Sequence, residues 1–153
     1  MEQTAYDTNP VDDHKEAVKA FAGAYNDLQG ALHMDYSAIS NELRRAMHQP
    51  VRLPTTISAL GYISLYEIGL THAPDGPKHG GYGRLSVHEE KLAITIEKRE
   101  TEMRTLFVHM ADGLLLRLCE ILMTLAAYDL PEDVRTLSIA LLNECHRLIA
   151  IWF

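Results

Sequence analysis

Apolar residues return every three or four positions along most of this chain, and that period predicts helices rather than strands. Val18, Phe21, Tyr25, Leu28 and Leu32 form one stripe, opened by Asn9-Pro10, a favoured cap followed by a residue suited to the first helical position. Asp12 and Asp13 suit the positive helix end. A shorter helix is predicted over Tyr36 to His48, with Ile39, Leu43 and Met47 inward, Arg44 and Arg45 in solvent and Pro50 closing it. A third is predicted from Pro54-Thr55-Thr56 to Leu70, apolar around most of its circumference, with Gly61 and Gly69 marking close packing. A fourth stripe runs from Glu102 to Tyr128 through Met103, Phe107, Met110, Leu114, Leu118, Ile121 and Leu125. After Asp129-Leu130-Pro131, a fifth carries Val134, Leu137, Leu141, Cys145, Leu148 and Trp152.

Two segments interrupt this period. Residues 73–84 hold Pro74, Gly76, Pro77, Gly80, Gly81 and Gly83, which predicts a surface loop and contains no GK[ST] phosphate signature. In residues 85–98, Leu85/Val87 and Leu92/Ile94/Ile96 alternate like two strands joined near Glu89-Glu90, but the turn lacks Asn-Gly or Asp-Gly chemistry. The rival reading starts a helix near His88. The alternation favours a small β-hairpin near 84–97, inserted into a mainly α bundle of about five helices.

The length suits one domain, 1–153, with residues 1–8 expected to be mobile. Leu114, Leu115, Leu116, Leu118, Ile121, Leu122, Met123 and Leu125 exceed what one helix face can hold. The chain then stops on Ile149-Ala150-Ile151-Trp152-Phe153, a terminus that its own domain or a second subunit must cover. Together these features predict a homodimer through Leu115, Leu122, Leu148, Ile151, Trp152 and Phe153.

Charge narrows the partners. The net charge is −7, with acids in excess in both halves, so no basic block exists for nucleic acid and a basic protein partner suits the surface better. Glu89, Glu90 and Glu97, with Lys78, His79 and Tyr82 on the Gly/Pro-rich loop, are the expected contact residues. No signal peptide or apolar span is evident, which predicts a cytoplasmic protein. Cys119 and Cys145 have no metal-ligand spacing and read as buried thiols in a reducing compartment. The histidines form no helix-face pair, and no GxSxG elbow is present.

One constellation carries candidate chemistry. His109 and Asp112 sit one turn apart on the fourth stripe, and Glu67 lies on the helix predicted before it. Three such side chains aimed at one point suit a divalent cation, magnesium or manganese. The segments PTTISALGYISLYEIGL (54–70) and VHMADGLLLRLCEILMTLAAYDL (108–130) resemble the two motif helices of the MazG-like, all-α nucleoside triphosphate pyrophosphohydrolases. The resemblance implies an oligomeric helical fold, magnesium and release of pyrophosphate from nucleoside triphosphates. The family motif is ExxE on one helix and ExxD on the next. Glu67 and Asp112 match it, whereas Leu70 and His109 replace two carboxylates, and the insert between the helices is longer than usual. A site so depleted implies nucleotide binding or inactivity rather than full catalysis. A plainer reading pairs Asp112 with Arg117, turns Glu67 to water and hydrogen-bonds His109 in the core. The competing function is a non-catalytic interaction or inhibitor protein of a mobile element, such as a phage counter-defence protein of the anti-CRISPR kind.

Overall fold

A computed structural model describes residues 10–35, 37–52, 55–57, 61–63, 69–73, 84–108, 114–124 and 128–152. Among them, six helices form a bundle with two short antiparallel strand pairs attached. Helix α1 (Pro10–Asp35) carries its stripe fully inward: Val18, Phe21, Tyr25, Leu28 and Leu32 are all buried. It packs most extensively on α6 (Glu132–Trp152), and His14 near the start of one meets Trp152 at the end of the other, so the two run antiparallel. Helix α4 (Glu100–Val108) closes this core with Phe107, whose ring stacks on Trp152 at 5.4 Å and meets Phe21 edge-on at 6.4 Å.

Helix α2 (Ala38–Arg52) starts on a serine cap. The Ser37 hydroxyl accepts the Ser40 N–H at 3.0 Å and donates to Asp35 at 2.7 Å, and the Ser40 hydroxyl donates to the same carboxylate. Those bonds, from Ser40 first and Ser37 second, hold Asp35 below its ordinary pKa. The buried stripe of α2 is Ser40, Leu43, Arg44 and Met47, rotated from the expected Ile39, Leu43 and Met47. Ile39 is exposed, and Arg44, expected in solvent, is buried. Its guanidinium donates to Asn41 Oδ1 at 3.4 Å, while its carbonyl accepts from the Gln29 amide at 3.2 Å. The helix runs through Pro50 rather than ending before it.

The third predicted helix is not formed where it is described. Strands β1 (Thr55–Ile57) and β2 (Gly61–Ile63) pair antiparallel with Thr55 opposite Ile63, and β3 (Leu70–Ala73) follows. Thr55, Thr56 and Ile57 are β-branched and stiff at χ1, which favours extended chain, and Gly61 weakens a helix further. Gly69, expected inside that helix, has φ +101°, and a Cβ there would lie 2.9 Å from the Leu92 backbone nitrogen. The close approach lets the Gly69 carbonyl accept the His88 N–H at 2.7 Å.

The predicted hairpin is half right. Strand β4 (Arg84–Val87) exists, but it pairs backward with β3, Leu70 opposite Val87 and His72 opposite Leu85. Residues 89–98 are helical instead, forming α3 (Glu89–Lys98). His88 caps it, its Nδ1 accepting the Lys91 N–H at 3.2 Å, and Leu92, Thr95 and Ile96 face the core. The Glu89-Glu90 pair therefore opens a helix, where its charge suits the dipole, rather than turning a hairpin. The open edge of β4 meets α1: the Asn26 side chain donates to the Leu85 carbonyl at 3.0 Å and accepts its N–H at 2.9 Å.

The long fourth stripe is described as two helices, α4 and α5 (Leu114–Thr124). Leu114, Leu115, Leu118, Cys119 and Leu122 of α5 are buried against α2, α4 and α6. On α6 the expected stripe holds, with Val134, Leu141, Cys145, Leu148 and Trp152 buried and Leu137 half-buried. Among the described residues, no helix is long and apolar enough to cross a membrane.

Candidate functional site

Glu67, His109 and Asp112 lie outside the described residues, as do Lys78, His79, Tyr82 and Phe153. Among the described residues, no group of three or more His, Cys, Asp or Glu side chains is arranged to hold a metal ion.

Of the acidic contact set, Glu90 and Glu97 are exposed on α3. Glu89 is engaged within the fold, reaching Lys19 at 3.3 Å and Lys15 at 3.5 Å across to α1. The hydrogen bond from Lys19, then its charge, holds Glu89 below the ordinary carboxylate range, and Lys19 is raised in return. That carboxylate ties α3 to α1 while it stays exposed, like Glu90 and Glu97.

The terminal residues are covered from within the chain as far as they are described. Leu115, Leu122, Leu148 and Trp152 of the expected dimer set are buried in the core, and Ile151 is half-buried. Apart from Met34 and Ile94, the exposed large apolar side chains among the described residues lie around the end of α5. Met123 is 66 % exposed, Ile139 60 % and Tyr128 42 %, with Ile39 beside them. Two grooves adjoin them. The first, about 510 Å³, lies between the end of α5 and the first half of α6; Leu122, Leu130 and Leu142 form its base, with Met123, Ile139 and Arg135 at its mouth. The second, about 410 Å³, lies between α2 and α5, lined by Ile39, Leu43, Ile121 and Tyr128, with Glu42 at its side. Residues 121–124 form the ridge shared by both.

Charge borders this apolar band. Asp129, Glu132 and Asp133 are exposed and lie next in sequence to the groove-lining Leu130 and Arg135; Arg135 meets Asp129 at 3.3 Å, and Arg45 meets Glu42 of the second groove at 3.7 Å. The sequence carried half of this signal. Residues 114–125 hold more apolar side chains than one face can bury, but the excess alone does not reveal which side chains stay outside.

Comparison with family models, with curated proteins and with solved structures gives no match for this chain.

Proposed function

We propose that this protein is a non-catalytic interaction module that docks a basic amphipathic helix of a partner protein on the band between α2, α5 and α6. The observation that carries this reading is the convergence of Ile39, Met123, Tyr128 and Ile139 on two adjoining grooves. A monomeric fold seldom leaves so many large apolar side chains contiguous without use, whereas single ones such as Met34 and Ile94 are ordinary. Paired grooves around a ridge suit the apolar face of a helix with anchors one turn apart. Around them, Asp129, Glu132, Asp133 and Glu42 outnumber Arg135 and Arg45, so flanking lysines or arginines on the incoming helix match the rim.

The test is fluorescence anisotropy with two labelled amphipathic model helices, one of leucine and lysine and the other of leucine and glutamate. The lysine peptide binds and the glutamate peptide does not. The double variant Met123→Asp, Ile139→Asp weakens binding at least about tenfold, equivalent to about 1.4 kcal/mol. Equal binding of both peptides, or binding indifferent to the double variant, overturns the reading.

A further inference from the structure

The docking band carries one side chain whose chemistry can change in place. The described residues include four methionines, Met34, Met47, Met103 and Met123, and the fold sorts them sharply. Met47 and Met103 are fully buried, whereas Met34 and Met123 are 67 % and 66 % exposed. An oxidant must reach the sulfur, so of these four only the latter two meet it in the folded protein. Met123 lines the first groove, and Met34 lines neither.

The groove suits an apolar surface and has little for a polar one. Leu122, Leu130 and Leu142 form its base. The Ser138 hydroxyl already donates to the Val134 carbonyl at 2.7 Å, and Arg135 pairs with Asp129 at 3.3 Å. An oxygen added to Met123 is therefore hydrated while the groove stays open. Covering it strips that water without supplying a donor from the base, a cost that the thioether does not carry.

We propose that Met123 is an oxidative modification site: a peroxide converts its thioether to the sulfoxide, and the sulfoxide closes the first groove to apolar ligands. Resting on the docking reading, the same change releases the docked helix. The sulfur lone pair attacks one peroxide oxygen; the S–O bond forms, the O–O bond breaks, and the departing hydroxide takes the proton left on the transferred oxygen. One thioether and one hydrogen peroxide thus become one sulfoxide and one water, the sulfur losing the two electrons that the peroxide gains. A flexible apolar side chain that follows differently shaped partners becomes a polar one, and enzymatic reduction of the sulfoxide restores it.

The test treats the full chain with hydrogen peroxide and locates added oxygen by tandem mass spectrometry of its tryptic peptides. Met34 and Met123 each gain one oxygen, Met47 and Met103 gain none, and the helical circular dichroism is kept. Nile red, a neutral apolar dye, reports the first groove through the part of its emission that Ile139→Asp removes, and that part is lost on oxidation. The leucine and lysine helix loses affinity at least about fivefold. Each variant is compared with its own untreated sample: Met34→Leu responds to peroxide as wild type does, and Met123→Leu gives no response. Met123 left unmodified, no Ile139-dependent emission, emission unchanged with Met123 oxidised, loss of helical signal, or a response that survives in Met123→Leu each overturns the proposal. Absence of peptide binding before peroxide ends the docking reading alone, because the dye still reads the groove.

Discussion

The large apolar side chains toward the two ends of α6 are treated in opposite ways. At its C-terminal end, Trp152 lies beneath His14 of α1 and Phe107 of α4, aromatic surface contributed by two other helices. Toward its start, Ile139 and Leu142 border a groove beside Met123. The difference is supply: Trp152 meets rings from α1 and α4, while Ile139 lines a groove shared with the end of α5 and Leu130. Trp152 is therefore structural at one end, whereas at the other Ile139 stays available beside the buried Val134, Ser138 and Leu141.

Substitutions at the two ends break this comparison most directly. Trp152→Ala removes stacking and opens a cavity among packed rings, and costs about 3–5 kcal/mol in urea unfolding. Equal tolerance at Trp152 and Ile139 would show that the ends do not differ. Next in size is the polar clamp between α1 and β4. Asn26→Ala leaves the N–H and C=O of buried Leu85 without their partner and costs about 2 kcal/mol by the same measurement. Ile139→Ala and Met123→Ala change stability by no more than about 0.5 kcal/mol while weakening peptide binding, which separates use from structure.

Acid sharpens the picture at the helix caps. Asp35 and Glu89 are both held below their ordinary pKa, so their contribution to stability is complete above the unfolded values and is lost as pH falls through the lower folded ones. Wild type therefore loses more stability than Ser40→Ala as pH falls through and below the ordinary carboxylate range, read from urea midpoints. Identical acid profiles would remove the Ser40–Asp35 bond from the account. The smallest effect concerns nucleotides. With magnesium or manganese and a panel of nucleoside triphosphates at millimolar concentration, no shift in melting temperature is expected; a shift lost in Asp112→Ala would instead establish the metal-dependent reading.

Long-period features were legible in the sequence because their information is local. The stripes of α1 and α6 name their buried residues from spacing alone, and His88 and Glu89 locate a helix start once the alternation of residues 92–96 is discounted. Of the strands between α2 and α3, Leu85/Val87 of β4 was legible from alternation, but β1, β2 and β3 were not, because each has three or four residues and its pairing depends on partners elsewhere. Arg44 illustrates another limit: side-chain charge predicted solvent, whereas the rotation of α2 on α1 and α5 decided burial. For the candidate site, the apolar excess near residues 114–125 was visible. The side chains left uncovered depend on how α2 and residues 128–130 approach it, which no local pattern encodes.

The carboxamide of Asn26 also determines how this protein meets its own copies. A short strand with an open edge is a template on which another chain can add, the first step of swapped dimers and fibres. Here β3 occupies one side of β4, and a single side chain from 59 residues earlier satisfies both Leu85 groups on the other. An amide on a helix thus stands in for one residue of a strand, and protection against edge-to-edge aggregation at β4 is concentrated in that one position.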